Sequence, residues 1–302
     1  MPQADLGQIT LEYETFGPAS SPAVLLVAGV GQQLLAWDQR LCTMFAAENL
    51  FVIRYDNRDV GLSTHLDHLG KVRFGTLIPA IKAGEHPQVP YSLRDMADDA
   101  AGLLEHLEIR AANVVGMSMG GMIAQTLAIS HPDRIASLTS IMSSTGDRSV
   151  GHGTPEAISH LYAAPPPDRA GAVRSAIAAA RVIATEGHFD QSATAALAAA
   201  AYDRAFNPGG IGRQLAAILT AEDRTNALRA LTTPTLVIHG TDDALISATG
   251  GMATAAAIPG AKVVMIQGMG HDLPPPLWPQ IVTAIVAHIR DAADTELRPR
   301  EP

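Results

Sequence analysis

Residues 116–120 read GMSMG, a serine between two glycines, with NVV before them and GMIAQTLAIS after them. A serine hydroxyl is a poor nucleophile until a base takes its proton, and the base needs a carboxylate to fix its tautomer. The glycines fit that chemistry. A strand turning sharply into a helix strains the apex residue and crowds the positions on either side, where a side chain would collide. Ser118 is therefore the candidate nucleophile. A serine present only because it is small is the competing explanation, and the strand–turn–helix setting weighs against it. The same chemistry asks for an acid after a later strand and then a histidine, in the order Ser…Asp…His. TLVIHGTDDALIS ends one apolar strand and leaves Asp242 and Asp243 in the loop after it. VVMIQGMGHDLP ends the next and leaves His271 in its loop. Both loops lie at strand carboxyl ends, where open α/β sheets build their sites.

There are 11 histidines, so the choice of base needs reasons. His239 lies inside an apolar strand and reads as a packed core residue. His106 and His131 fall on or beside helices, and His288 on the terminal helix. His271 alone follows a late strand in a glycine-loosened loop, and Asp272 beside it reads as a cap or solvating group of that loop.

The elements that must position these residues follow from periodicity. QITLEYETFG alternates as a half-buried strand does, while AVLLVAG (23–29) and LFVIRYD (50–56) are continuous apolar runs, as in strands covered on both faces. ANVVGMS, IASLTSIM (135–142), TPTLVIHG (233–240) and AKVVMIQG (261–268) are further strands. Helical spacing marks LAWDQRLCTMFAAE, YSLRDMADDAAGLLEHLEI with a Ser92/Asp95 capping box, and WPQIVTAIVAHIRDAAD. Strands alternating with helices imply a parallel sheet wrapped on both faces. Residues 155–230 break that rhythm: they are alanine-rich, with several helices and no strand.

A formal charge of −9 argues against nucleic-acid binding and against docking on anionic membranes. The single cysteine, Cys42, excludes an intrachain disulfide and reads as a small core residue. The N-terminal stretch lacks the pattern of a signal peptide and no apolar run is long enough to span a bilayer, so a cytoplasmic location is expected. GMSMGG has neither G-x-G-x-x-G spacing nor a P-loop lysine, so no nucleotide site is expected there.

In combination, LLVAGVG, RYDNRDVGLS, GMSMGG, PTLVIHGTDD and GMGH resemble the α/β-hydrolase-fold enzymes over nearly the whole chain. The resemblance implies a mostly parallel sheet with helices on both faces and a helical cap insertion. The core would take residues 1–143 and 231–295, the cap 144–230, an extra lid segment 66–90, and a frayed tail 296–302. In such enzymes the acid stands three residues after the glycine of H-G-x-x-D. That position is Asp243, with Asp242 as the fallback. The oxyanion hole would use the backbone N–H of Met119 and one from the loop after LLVAG. Family members often read H-G-x there and this chain reads Ala28-Gly29-Val30, so Val30 is chosen, with Gly29 or Gly31 as alternatives. RYDNRDVGLS resembles the family's D-x-R-G-x-G-x-S loop but has Asp59 where glycine is common; Asp56 and Arg58 are expected to tie it down.

RYDNRDVGLST, SMGGMIAQ and SLTSIM give the nearest resemblance, to carboxylesterases of the aclacinomycin methylesterase type. This implies hydrolysis of a neutral, moderately sized carboxylic ester through an acyl-enzyme, with no cofactor and no metal. A small-molecule ester would be the only partner, and the protein a monomer or homodimer. Gly29, Met117 and Met122 are expected at the substrate pocket. Phe74, Leu77 and Ile78 fall at helical spacing and would either line its rim or seal the cap to the core. The same triad also serves carbon–carbon bond hydrolases, lactonases and cofactor-free haloperoxidases. From another class, a silent receptor on this scaffold is disfavoured by the intact Ser, Asp and His.

Overall fold

The computed structural model describes residues 2–163, 166 and 168–297; the tail expected over 296–302 lies outside them from residue 298 onward. Eight strands form one sheet: β1 (Gln3–Asp5), β2 (Thr10–Phe16), β3 (Ala23–Val27), β4 (Phe51–Tyr55), β5 (Ala112–Met117), β6 (Ile135–Ile141), β7 (Thr235–Gly240) and β8 (Lys262–Ile266). Their order is β1-β2-β4-β3-β5-β6-β7-β8. The pairings β1/β2 and β2/β4 are antiparallel and all the others parallel. Seven of these strands follow from the sequence patterns. β1 does not: three residues are too few to show a period.

Helices α1 (Gln39–Ala47), α2 (Phe74–Lys82), α3 (Leu93–His106) and α4 (Met119–Ser130) precede β6. Between β6 and β7 come α5 (Pro155–Leu161), α6 (Arg169–Ile183), α7 (Gln191–Arg204), α8 (Pro208–Thr220) and α9 (Thr225–Leu228). Helices α10 (Ala248–Ala257) and α11 (Trp278–Leu297) complete the chain's described elements. Strand pleating sends alternate residues to opposite faces. Val24 and Leu26 of β3 join one core cluster with Trp37, Leu41, Phe45 and the buried stripe of α11 from Ile281 to Ile289. Leu25 and Val27 join the other, with α3 and α4. Cys42 is buried in the first cluster, as expected. The α3 capping box is formed: Asp95 N donates to Ser92 Oγ at 3.3 Å and Ser92 N to Asp95 Oδ2 at 2.8 Å.

β3 lies between β4 and β5, so the chain moves outward one way from β3 to β4 and the other way to β5. The loops after β3 and β5 therefore diverge beside each other and leave a crevice at the strand carboxyl ends. Both the serine turn and the Gly29–Gly31 loop open into it. Among the described residues, no helix is long and apolar enough to cross a membrane.

The segment 66–90 holds α2, which does not lie over Ser118. Phe74 packs edge-on against Tyr162 at 5.6 Å and faces Gly212 of α8. Its apolar spacing seals α2 to neighbouring helices.

Candidate active site

Ser118 sits between β5 and α4 with φ 55° and ψ −122°, a backbone conformation costly for any residue but glycine. Its surroundings enforce it. Ser118 N donates to Ile141 O at 2.9 Å, and Ser118 O accepts from Gly121 N and from Ser143 Oγ. The two glycines of the motif are there for space: a Cβ on Gly116 would run into Gly120 O, and a Cβ on Gly120 into Val27 O. The turn thus lifts the Ser118 hydroxyl clear of the sheet.

His271 and Asp243 reach it from the loops after β8 and β7. His271 Nε2 is 3.0 Å from Ser118 Oγ, and His271 Nδ1 is 2.7 Å from Asp243 Oδ2. Asp243 Oδ1 accepts from Leu245 N at 2.9 Å and Ile246 N at 2.8 Å. The carboxylate is fully buried. Burial by itself would raise its pKa. The imidazoles of His239 and His271 and the Ile246 N–H outweigh that and hold it well below the usual carboxylate range, so it remains an anion. Asp242, by contrast, is exposed and accepts from its neighbour Thr241 Oγ1. The loop geometry brings Asp243, not Asp242, to His271.

His271 is positioned from outside its own strand as well. Its backbone N–H donates to Ile183 O, the last residue of α6, at 2.7 Å. Asp272 Oδ1 accepts from Thr185 N and Thr185 Oγ1, and Gly270 N donates to Thr185 Oγ1. Asp272 therefore ties its loop to the end of α6, and burial raises its pKa.

In the loop after β3, Gly29 N donates to Gln32 Oε1 at 3.0 Å and Gly31 N to Gln214 Oε1 at 2.8 Å. Val30 N and Met119 N have no acceptor among the described residues. Of the loop donors that the family resemblance offers, Gly29 N and Gly31 N are thus already engaged by side-chain oxygens.

A cavity of about 450 Å³ opens over Ser118 and His271. Gly29, Val30 and Met117 line it, with Leu35, Met142, Ile183, Phe189, Leu197 and Leu245 supplying apolar wall. Four expected residues do not line it. Phe74, Leu77 and Ile78 belong to α2, which packs elsewhere, and Met122 packs against the core cluster beneath α4. The signal for the true wall residues is weak, since α6 and α7 are alanine-rich and show no sharp apolar face. Among the described residues, no group of three or more His, Cys, Asp or Glu side chains is arranged to hold a metal ion.

The loop after β4 is structural, as its residues suggest. Arg58 forks onto Asp99 of α3 at 2.6 and 2.7 Å. Asp56 accepts from Leu34 N, Leu62 N and Arg204 of α7. Asp59, the departure from glycine, has φ 72° and forms a fork with Arg213 of α8, both bonds 2.7 Å.

The chain belongs to the α/β hydrolase fold family, whose model matches residues 22–274. Among characterised proteins it is similar to a rhodomycin D methylesterase of a Streptomyces species, at 29% identity over 94% of this chain and 96% of that protein. It superposes on a meta-cleavage product hydrolase from Pseudomonas fluorescens with TM-score 0.73 at 18% identity, covering 97% of this chain and 98% of that one. An esterase from Thermogutta terrifontis gives TM-score 0.67 at 25% identity, covering 94% of both chains.

Proposed function

We propose that the protein is a serine carboxylesterase acting on neutral, moderately sized carboxylic esters, with Ser118 as nucleophile, His271 as general base and Asp243 as its orienting acid. The observation that carries this reading is the unbroken chain Ser118 Oγ–His271 Nε2, His271 Nδ1–Asp243 Oδ2, at 3.0 and 2.7 Å on the floor of an apolar cavity. Likeness to a rhodomycin D methylesterase along nearly the whole length of both chains favours an ester, and within that class a methyl ester on a bulky scaffold.

The chemistry follows from the positions. Ser118 Oγ attacks the ester carbonyl carbon as its proton passes to His271 Nε2. The buried Asp243 anion stabilises the imidazolium that forms. The carbonyl oxygen, now negative, is received by the N–H groups of Val30 and Met119. Each such preorganised donor lowers the barrier by about 3–4 kcal/mol. His271 then gives its proton to the departing alkoxide, leaving an acyl group on Ser118. Water, deprotonated by the same imidazole, releases the acid and restores the serine.

A cavity of about 450 Å³ falls within the range of small-molecule sites. The test is a fluorophosphonate label followed by a series of nitrophenyl esters of increasing acyl length. The expected result is stoichiometric labelling of Ser118 and turnover that falls once the acyl chain outgrows the cavity. An unlabelled serine with no ester turnover would overturn the proposal.

A further inference from the structure

Behind Asp243 stands a group that a three-residue relay does not require. His239, near the end of β7, is fully buried. Its Nε2 lies 2.8 Å from Ile246 O and 3.2 Å from Asp243 Oδ2. A carbonyl and a carboxylate only accept, so Nε2 must carry the hydrogen. On the other side of the ring, Nδ1 has no hydrogen-bond partner among the described residues. It faces Gly251 of α10, where any Cβ would collide with it. The ring therefore has acceptors for one hydrogen only, on the side of the triad acid.

We infer that His239 is a positioning residue for the triad acid, its Nε2–H shared between Ile246 O and Asp243 Oδ2. The inference rests on reading Ser118, His271 and Asp243 as the catalytic relay. Two consequences follow. With Oδ1 held by Leu245 N and Ile246 N and Oδ2 flanked by two imidazoles, the carboxylate cannot rotate away from His271. And Oδ2 divides its charge between two donors, so its grip on the His271 imidazolium is weaker than it would be for His271 alone. Among the described residues, the other charged or titratable groups that line the cavity with His271 are Asp272, which adjoins it, and His188, Asp38, Arg40 and Asp190. On the α10 side, His239 meets Gly251.

The test compares His239→Leu, which removes the donor, with His239→Gln, which keeps an N–H of similar reach. For His239→Leu, kcat should fall roughly ten-fold, the scale of one hydrogen bond to a charged group. KM should stay close to its wild-type value. The acid limb of kcat/KM should move to higher pH by about half to one unit, because Oδ2 then serves His271 alone. His239→Gln should restore most of kcat and return the limb toward wild type. A role in packing alone would lower the amount of active enzyme and leave the limb where it was.

Two readouts need no turnover and so separate this inference from the esterase proposal. Nitrogen NMR of the resting wild-type protein, labelled at histidine, should show His239 carrying its hydrogen on Nε2. The downfield proton of the His271–Asp243 bond should shift further downfield in His239→Leu. A hydrogen on Nδ1 of His239 would overturn the inference, even if the leucine variant failed to fold. So would a leucine variant with an unmoved limb and an unmoved resonance. Absence of fluorophosphonate labelling in the wild type would overturn the esterase reading instead, while the wild-type spectrum still decides the hydrogen bond.

Discussion

Val24, Leu25, Leu26 and Val27 of β3 are each fully buried, whereas α7 buries none of its 14 residues. The sheet is held by apolar surface on both faces, a non-directional force spread over many side chains. Of the helices between β6 and β7, α8 and α9 send Ala217 and Leu228 into a core cluster, and directed contacts at the feet of α6, α7 and α8 do the rest of the fastening. Arg204 at the end of α7 bonds Asp56 and Gln33. Arg213 and Gln214 of α8 bond Asp59, Arg58 O and Gly31 N. The end of α6 bonds the His271 loop. A sheet built from distributed burial tolerates the loss of one contact. A helical layer fastened by buried ion pairs does not, because removing one partner leaves a charge stranded. The serine, histidine and aspartate belong to the sheet, and the walls of their cavity largely to the helices.

The sharpest way to test this contrast is to remove chemistry from the sheet edge without touching its packing. Ser118→Ala should lower kcat by roughly 10³–10⁶ and leave the melting temperature nearly unchanged, as read by nitrophenyl ester turnover and a thermal melt. His271→Gln should match it. Next in size is the acid. Asp243→Asn should cost roughly 10⁴ in kcat with little change in KM, while Asp242→Asn, on an exposed side chain, stays near wild type. A crippled Asp242→Asn beside an active Asp243→Asn would dismantle the relay described above.

The helical layer should fail in the opposite manner. Arg213→Met strands the buried Asp59 carboxylate and should lower the unfolding free energy by about 3–5 kcal/mol in urea titrations. Adding Asp59→Gly removes that charge and relieves the positive φ, so the double variant should recover most of the loss. Burial would raise the Asp59 pKa, but the Arg213 fork, the Leu66 N–H and the Arg213 charge hold it below 3.8. The stability it contributes is therefore present above about pH 4 and is lost as pH falls through its folded value. Accordingly, the gap between wild type and Arg213→Met should narrow in acid. If the single variant melts like wild type at neutral pH, the ion pair is not what fastens α8.

The smallest effect belongs to Asp272. Burial raises its pKa, so its ionised form costs stability at neutral pH, and that cost disappears as pH falls below 3.8. Asp272→Asn keeps an oxygen for Thr185 and should gain stability at pH 7 by under about 1 kcal/mol, with the gain vanishing in acid. A loss of stability at pH 7 would show that the charge itself supports the loop.

Ser118 and His271 were legible in the sequence from local context, whereas the choice of Asp243 over Asp242 rested on the H-G-x-x-D spacing of the family that the chain resembles. Glycines mark the serine turn, and an apolar strand ends just before Asp243 and again before His271. The choice of Val30 and Met119 as backbone donors likewise rested on that resemblance, with Gly29 and Gly31 as alternatives to Val30. What the sequence could not show are contacts between distant segments. Asp59 and Arg213 stand far apart in the chain, and nothing in RYDNRDVGLS names its partner. Helical spacing in Phe74, Leu77 and Ile78 says that one face is covered but not by what, and α2 packs on α8 and Tyr162 rather than over the serine. His239 was legible as buried, but its approach to Asp243 depends on how the loop after β7 folds back.

The helices between β6 and β7 have a consequence for chain entropy. These two strands are hydrogen-bonded neighbours, yet residues 142–234 intervene between them. Bringing the two strands together requires closing that long loop before their pairing is rewarded. The entropic cost of such closure grows only with the logarithm of length, about 0.6 kcal/mol for each doubling. Lengthening or shortening the intervening helices therefore changes the thermodynamics of the sheet very little. The roof over the serine can be rebuilt for a larger or smaller substrate while the strands beneath it pair as before.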